Sequence, residues 1–239
     1  MCTVSFVPSG KNYFITSNRD EHISRPLAYR PQEETIGSVK VLFPKDPKAG
    51  GTWFAINENG AVAVLLNGAF VKHRPNGSYA KSRGLVLLDI IGAKNPHSVL
   101  WEMDLYRIEP FTVVLFHSDL LEFRWDGSQK YFRPLDKSKK HIWSSATLYD
   151  DAVMAHRASQ FHQFAHRSDR IEALDVVNFH TDNRDDLENG FIIDRKTGLK
   201  TFSVTQAVLH QEENALLRHI DLLDDKVYEV PISFNRITV

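Results

Sequence analysis

The segment Ala61–Leu66 reads Ala-Val-Ala-Val-Leu-Leu and is apolar at every position. Successive side chains of a strand point to opposite faces. A strand of this composition therefore has no face to give to water, and it must lie centrally in a sheet with another layer covering each side. The residues before it support a strand reading. Thr52–Asn57 is rich in β-formers and Glu58-Asn59-Gly60 supplies a turn, so 52–66 forms a hairpin.

The same reasoning lays out the rest of the chain. Cys2–Val7 and Tyr13–Ser17 are strands joined by the turn at Pro8-Ser9-Gly10-Lys11-Asn12. Arg25-Pro26 and Arg30-Pro31 keep the next segment extended. Ser82–Ala93 is a helix, with Leu85, Leu88 and Ile91 at helical spacing, and Pro96 opens a second short helix through Met103. Strands follow at Phe111–His117, Leu121–Trp125 and Lys130–Pro134. Asp150-Asp151 starts a helix running to His166, and another covers Arg170–Phe179. Lys200–His210, Leu216–Leu223 and Lys226–Ile232 return to strand. This order predicts a layered α+β fold, with helices outside antiparallel sheets, rather than a βαβ repeat. Residues 1–239 carry no internal repeat or linker and are expected to form one domain.

Composition removes several function classes. A net charge of −1 gives no electrostatic case for nucleic acid or an anionic membrane. No apolar run approaches the roughly 18 residues that span a bilayer. The N-terminus lacks the basic and apolar stretches of a signal peptide, and one cysteine cannot form an internal disulfide. A cytoplasmic protein with a small-molecule substrate is expected, without nucleic-acid or membrane partners; the oligomeric state is left open.

That cysteine is Cys2, directly behind Met1. Removal of Met1 would put a thiol and a free α-amine on one residue, with unperturbed pKa values of about 8.5 and about 7.7–8.0. The thiolate is a strong nucleophile and the amine can serve as its base. The bland alternative is a small hydrophobe packed at the start of a strand. The first hairpin would return Asn18-Arg19-Asp20-Glu21 beside Cys2, because antiparallel neighbours lie about 5 Å apart. A carboxylate there could orient the ammonium, and a cation could lower the thiol pKa. A solvated charged turn is the ordinary alternative for such a string.

Met1-Cys2, then Asn18-Arg19-Asp20-Glu21, Arg25-Pro26, Gly50-Gly51-Thr52-Trp53 and Ser82-Arg83-Gly84 resemble the NRDE family, also called the transport and Golgi organisation protein 2 family. The stretch Ile56–Gly60, continuing to Asn67-Gly68, is also similar to conjugated bile-acid hydrolases and penicillin V acylases. Those are cysteine N-terminal-nucleophile amidases. The resemblance implies a four-layer αββα sandwich of two antiparallel sheets. It also implies Cys2 as nucleophile, Asp20 as holder of its amine, Asn67 as oxyanion donor and Arg19 as a substrate or pKa-tuning cation. Asn18, Trp53 and Ser145 become candidate substrate contacts, and Gly50-Gly51 allows a close backbone approach to the nucleophile. The implied activity is hydrolysis of a linear, non-peptide amide through a Cys2 thioester, with no cofactor. The alternative is an inactive relative that carries a hydrophobic cofactor or acyl metabolite, haem being the example associated with the family.

Three departures bear on that choice. Ser17 stands where bile-acid hydrolases place an arginine, Ser145 stands near a usual asparagine, and Phe202 replaces an arginine of the family's Thr-Arg-Ser-Ser-Thr. Among the eleven histidines, His156, His162 and His166 share a helix face. With no His-Glu-x-x-His or Cys-x-x-Cys, surface histidines and no metal site are expected. Trp53, Trp101, Trp125 and Trp143 are read as core.

Overall fold

The computed structural model describes residues 3–75, 77–167, 170–183, 185–210 and 214–234. The hairpin at the start of the chain consists of β1 (Thr3–Ser9) and β2 (Asn12–His22). It joins β10 (His141–Ser144), β11 (Leu199–His210), β12 (Asn214–Asp221) and β13 (Lys226–Ser233) in an antiparallel sheet of order β10-β1-β2-β11-β12-β13. The second sheet is a meander in chain order: β3 (Tyr29–Ile36), β4 (Val39–Lys45), β5 (Phe54–Asn57), β6 (Val62–Asn67), β7 (Phe111–His117), β8 (Asp119–Trp125) and β9 (Lys130–Leu135). Helices α1 (Arg83–Ile91) and α2 (Pro96–Glu102) cover one sheet; α3 (Asp151–Ala165) and α4 (Ala173–Thr181) cover the other.

β6 is the middle strand of seven, as its all-apolar sequence requires. Ala61, Ala63 and Leu65 pack in one cluster with Leu87, Ile90 and Ile91 of α1. Val62, Val64 and Leu66 pack between the sheets with Val4, Phe6 and Ile15. A third cluster joins Val7 and Phe14 to Phe161 and Phe179 under the other helix pair. The layers are thus α, β, β and α, each interface filled by one face of a strand set.

Local chemistry sets the helix starts. Ser82 and Asp150 accept the Leu85 and Val153 N–H groups, and Glu172 forms a reciprocal capping box with Asp175. That box moves the start of α4 to Ala173, later than the expected Arg170. Three strands had no readable alternation. β3 is a charged edge strand in which Pro31 costs no ladder bond, β4 is buried along most of its length, and β10 has only four residues on the opposite sheet's edge. Trp101 is not core: it is 64% exposed and lies flat on Phe132 with ring centres 3.7 Å apart. Among the described residues, no helix is long and apolar enough to cross a membrane.

Replacing Ile15 with alanine should cost about 2–5 kcal/mol, because its side chain fills the inter-sheet layer. Leu174→Ala, at a position 57% exposed, should change stability by no more than about 0.5 kcal/mol. Urea unfolding of both variants measures the contrast.

Candidate active site

β2 runs six residues beyond Thr16, so the tetrad 18–21 sits inside a buried strand and is not a solvated turn. Thr3 opposes Asn18 on one side and Ser144 on the other, and Val4 opposes Ser17. Alternation then sorts the tetrad. Asn18 and Asp20 face the α3–α4 layer; Arg19 and Glu21 face the other sheet. Cys2 lies outside the described residues.

Arg19 is 2% exposed. Its Nη2 donates to Asp46 Oδ2 at 2.7 Å, and its guanidinium lies 4.6 Å from the centre of the Trp53 ring and 5.4 Å from that of Phe202. Phe202 reaches this position through a β-bulge. Thr201 pairs with Asp20 and Ser203 with Arg19, which leaves Phe202 as the extra residue between them. Burial raises the Asp46 pKa, but the Ala49 N–H and the charges of Arg19 and Arg25 outweigh it and hold the carboxyl below its usual value.

These groups form one wall of a cleft of about 210 Å³. Trp53 and Asn67 also line it, with Glu21, Arg25, Arg83 and Glu109. Three arginines thus meet three carboxylates. Arg83 contacts Glu109 at 3.0 Å and Arg25 contacts Glu21 at 3.4 Å. Burial lowers the Arg83 pKa, and Glu109 works against that. A Cβ on Gly51 would overlap the Gly84 backbone, so Gly51 allows a close approach to the head of α1; the expected approach to Cys2 lies outside the described residues.

Asn67 ends β6, and its half-buried side chain makes no hydrogen bond among the described residues. Ser145 does not line the cleft. It is 1% exposed and donates to the Asn67 carbonyl at 2.8 Å, so it holds Asn67 where a substrate contact was expected.

Asp20 is buried on the helix side. Its Oδ1 accepts from Thr201 Oγ1 at 2.6 Å and its Oδ2 from the Tyr149 hydroxyl at 3.0 Å. Tyr149 in turn accepts from Arg157 Nη2 at 2.9 Å, and the Arg157 guanidinium lies 3.8 Å from the centre of the Tyr149 ring. Arg157, wholly buried, also donates to Thr3 Oγ1 and Gly190 O. Tyr149 and Arg157 were not singled out from the sequence, since nothing marks a lone tyrosine or a mid-helix arginine as partners of residue 20.

Asn18 also points away from the cleft, contrary to its reading as a substrate contact. Its Nδ2 donates to the carbonyls of His180 and Phe191, at 2.8 and 3.0 Å, and its Oδ1 meets His180 Nδ1. His180 Nε2 lies 2.7 Å from Ser5 Oγ. Ser5, His180 and Asn18 have the residue types of a nucleophilic triad, yet all three are 0% exposed. They tie α4 to the sheet. His219 is buried as well, 2.8 Å from Thr205 Oγ1. The surface reading holds for His156, His162 and His166 but fails for these two. Burial, with the Arg157 charge, pushes His180 down to about 3; burial, with Arg19, pushes His219 down to about 4. No cluster of three metal-ligating side chains occurs among the described residues.

The family model for Transport and Golgi organisation 2 matches residues 1–213. The chain belongs to that family. A comparison with curated protein sequences gives no significant match. Among solved structures, the N-acylethanolamine-hydrolyzing acid amidase ortholog of Caenorhabditis elegans superposes with a TM-score of 0.61 at 10% identity, over 96% of this chain and 100% of its own. A mutant of conjugated bile acid hydrolase from Clostridium perfringens gives 0.55 at 10% identity over 100% of both chains. A second variant of that enzyme gives 0.56 at 10% identity, over 99% of this chain and all of its own. At such identities the likeness shows the fold, that of the N-terminal-nucleophile hydrolases.

The buried histidines set a pH dependence of stability. Folded His180 and His219 stay neutral down to about 3 and about 4, whereas unfolded histidine takes a proton near 6.5. Each contributes nothing to the pH dependence above about 6.5. Below it, each destabilises the fold by about 1.4 kcal/mol per pH unit until its folded pKa is reached. Denaturant titrations between pH 7 and pH 5 should show this loss, and His219→Gln should make the slope shallower.

Proposed function

We propose that this chain is an N-terminal-nucleophile hydrolase that cleaves a linear, non-peptide amide through a thioester on Cys2. The observation that carries the reading is the hairpin register. Thr3, at the start of β1, stands opposite Asn18, next in β2 to Arg19 and Asp20, and Arg19 shares a cleft with Trp53 and Asn67. The structures named above are, by their names, an N-acylethanolamine-hydrolyzing acid amidase and a conjugated bile acid hydrolase, and an amide substrate is carried over here as part of the proposal.

In the proposed reaction, the α-amine of Cys2, freed by removal of Met1, takes the thiol proton. The thiolate attacks the amide carbonyl carbon, and the Asn67 side-chain N–H donates to the oxyanion. The C–N bond breaks as the leaving nitrogen takes the proton from the ammonium, which leaves an acyl thioester. The amine then accepts a proton from water, whose oxygen attacks the thioester; the acid leaves and the thiol is restored. Asp20 orients the amine, and Tyr149 and Thr201 fix both of its oxygens in turn. Arg19, ion-paired with Asp46 on the cleft wall, serves as a substrate contact.

The second reading, ligand carriage without turnover, is favoured by Phe202 and Ser145, where the family pattern has a cation and an amide. Haem does not suit the cleft as it stands. Its volume of about 210 Å³ is below the roughly 300–1,000 Å³ of cofactor-sized pockets, and three ion pairs line it.

Mass spectrometry of the cell-made protein should show Met1 removed. An assay against N-acylethanolamines and bile-acid conjugates should show turnover that Cys2→Ala abolishes. Asn67→Ala should lower kcat by about 10²–10³-fold, and Asp20→Asn should displace the pH–rate profile. A retained Met1, or a Cys2→Ala protein as active as the parent, would refute the hydrolase reading.

A further inference from the structure

Asn67 is followed by Gly68, and the pair carries a chemistry that needs no substrate. The backbone nitrogen after an asparagine can attack that asparagine's own side-chain carbon, Cγ. The nitrogen loses its proton, ammonia leaves and a five-membered succinimide remains. Water then opens the ring at one carbonyl or the other, giving aspartate or isoaspartate. Glycine in the second position favours the attack, because it has no Cβ to crowd the nitrogen and leaves the backbone free to turn.

Four Asn-Gly pairs occur in the chain, at 59–60, 67–68, 76–77 and 189–190, and Asn76 lies outside the described residues. Of the other three, only Asn67 lines the cleft, and no hydrogen bond among the described residues holds its half-buried side chain. The peptide group joining Asn67 to Gly68 is planar and turns as a unit. It must turn for the nitrogen to reach Cγ, and it is held at both ends. Ser145 Oγ donates to the Asn67 carbonyl at 2.8 Å, and the Gly68 N–H donates to the Pro110 carbonyl at 3.0 Å.

The two restraints are unequal. The Pro110 carbonyl also accepts from Arg83 Nη1 at 3.2 Å, so it stays hydrogen-bonded when Gly68 lets go. Ser145 is 1% exposed, and its hydroxyl is backed by Thr147 Oγ1 at 2.9 Å. A larger residue at 68 is not open to the chain as a safeguard. Gly68 has φ +80°, and a Cβ there would lie 2.9 Å from Thr147 Cγ2.

We infer that Asn67–Gly68 is a latent self-modification site on the cleft wall, and that Ser145 is the residue that restrains it. Conversion to aspartate replaces an amide with a carboxylate where three arginines already face three carboxylates. Conversion to isoaspartate also lengthens the main chain by one carbon at the end of β6. The inference goes beyond the hydrolase reading, because neither Cys2 nor turnover enters it.

The test incubates the full chain at mildly alkaline pH and follows acid formation at Asn67 by peptide mapping and mass spectrometry, with Asn59 and Asn189 as internal references. The chain unfolded in urea should modify Asn67 about tenfold or more faster than the folded chain, since both restraints are then gone. Ser145→Ala should raise the folded rate at Asn67 about threefold to tenfold and leave the two references unchanged. Equal rates at Asn67 in folded and unfolded parent, or no conversion in urea, would overturn the inference without any variant. An unchanged rate in Ser145→Ala, or the same acceleration at all three asparagines, would overturn the part given to Ser145. A chain that fails the Cys2 assay would still show this pattern, and an active hydrolase without it would leave the Cys2 result standing.

Discussion

In β2, neighbouring residues serve different layers. Because a strand's side chains alternate, Arg19 enters the cleft between the sheets while Asp20, one residue on, is held under α3 by Tyr149 and Thr201. A slip of one residue in the β1–β2 register would exchange the two, putting a carboxylate against Asp46 and a guanidinium against Arg157. Both pairings would be like-charged and buried, so the electrostatics penalise the wrong register as strongly as the apolar pattern does. Val4, Phe6 and Ile15 enforce the same register from the core side.

The charges on either side of β2 are handled by different means. On the cleft side, arginines and carboxylates meet directly and the wall is close to neutral. On the helix side, Arg157 and Asp20 do not touch; the Tyr149 hydroxyl accepts from one and donates to the other. A hydroxyl between the charges keeps both desolvated groups hydrogen-bonded and leaves Thr201 to fix the second carboxylate oxygen. Arg157 also binds Thr3 Oγ1, so the group that supports residue 20 also pins the start of β1. Thr3 and Asp20 are therefore held from the same support.

Much of this was legible in the sequence, for definite reasons. Turn chemistry at Pro8–Asn12 and Glu58–Gly60 marked both hairpins, and the all-apolar run at 61–66 marked the central strand and its two covering layers. Spacing inside the first hairpin was enough to bring residue 19 and residue 20 to the start of β1. Which way each pointed was not readable without the exact strand end. With β2 ended at Ser17, Asn18 looked like a turn residue free to contact substrate; continued to His22, it becomes a fully buried anchor for His180. Tyr149, Arg157, Asp46 and Glu109 are separated by long stretches from what they touch, and no local pattern encodes such partners. The bulge at Phe202 was equally invisible, since it exists only in the pairing of β11 with β2.

Phe202 connects these points. An arginine is the family's usual residue there, and its loss weakens a hydrolase reading if the cation was needed for an anionic substrate. The cleft already holds three arginines against three carboxylates, however. A fourth arginine at the bulge would leave an excess positive charge between the sheets, next to a buried guanidinium about 5 Å away, which is costly without a bound anion to offset it. Phenylalanine removes that requirement and supplies a second aromatic face to Arg19, an interaction of about 0.5–2 kcal/mol. The substitution thus keeps this wall of the cleft near charge balance without a bound anion.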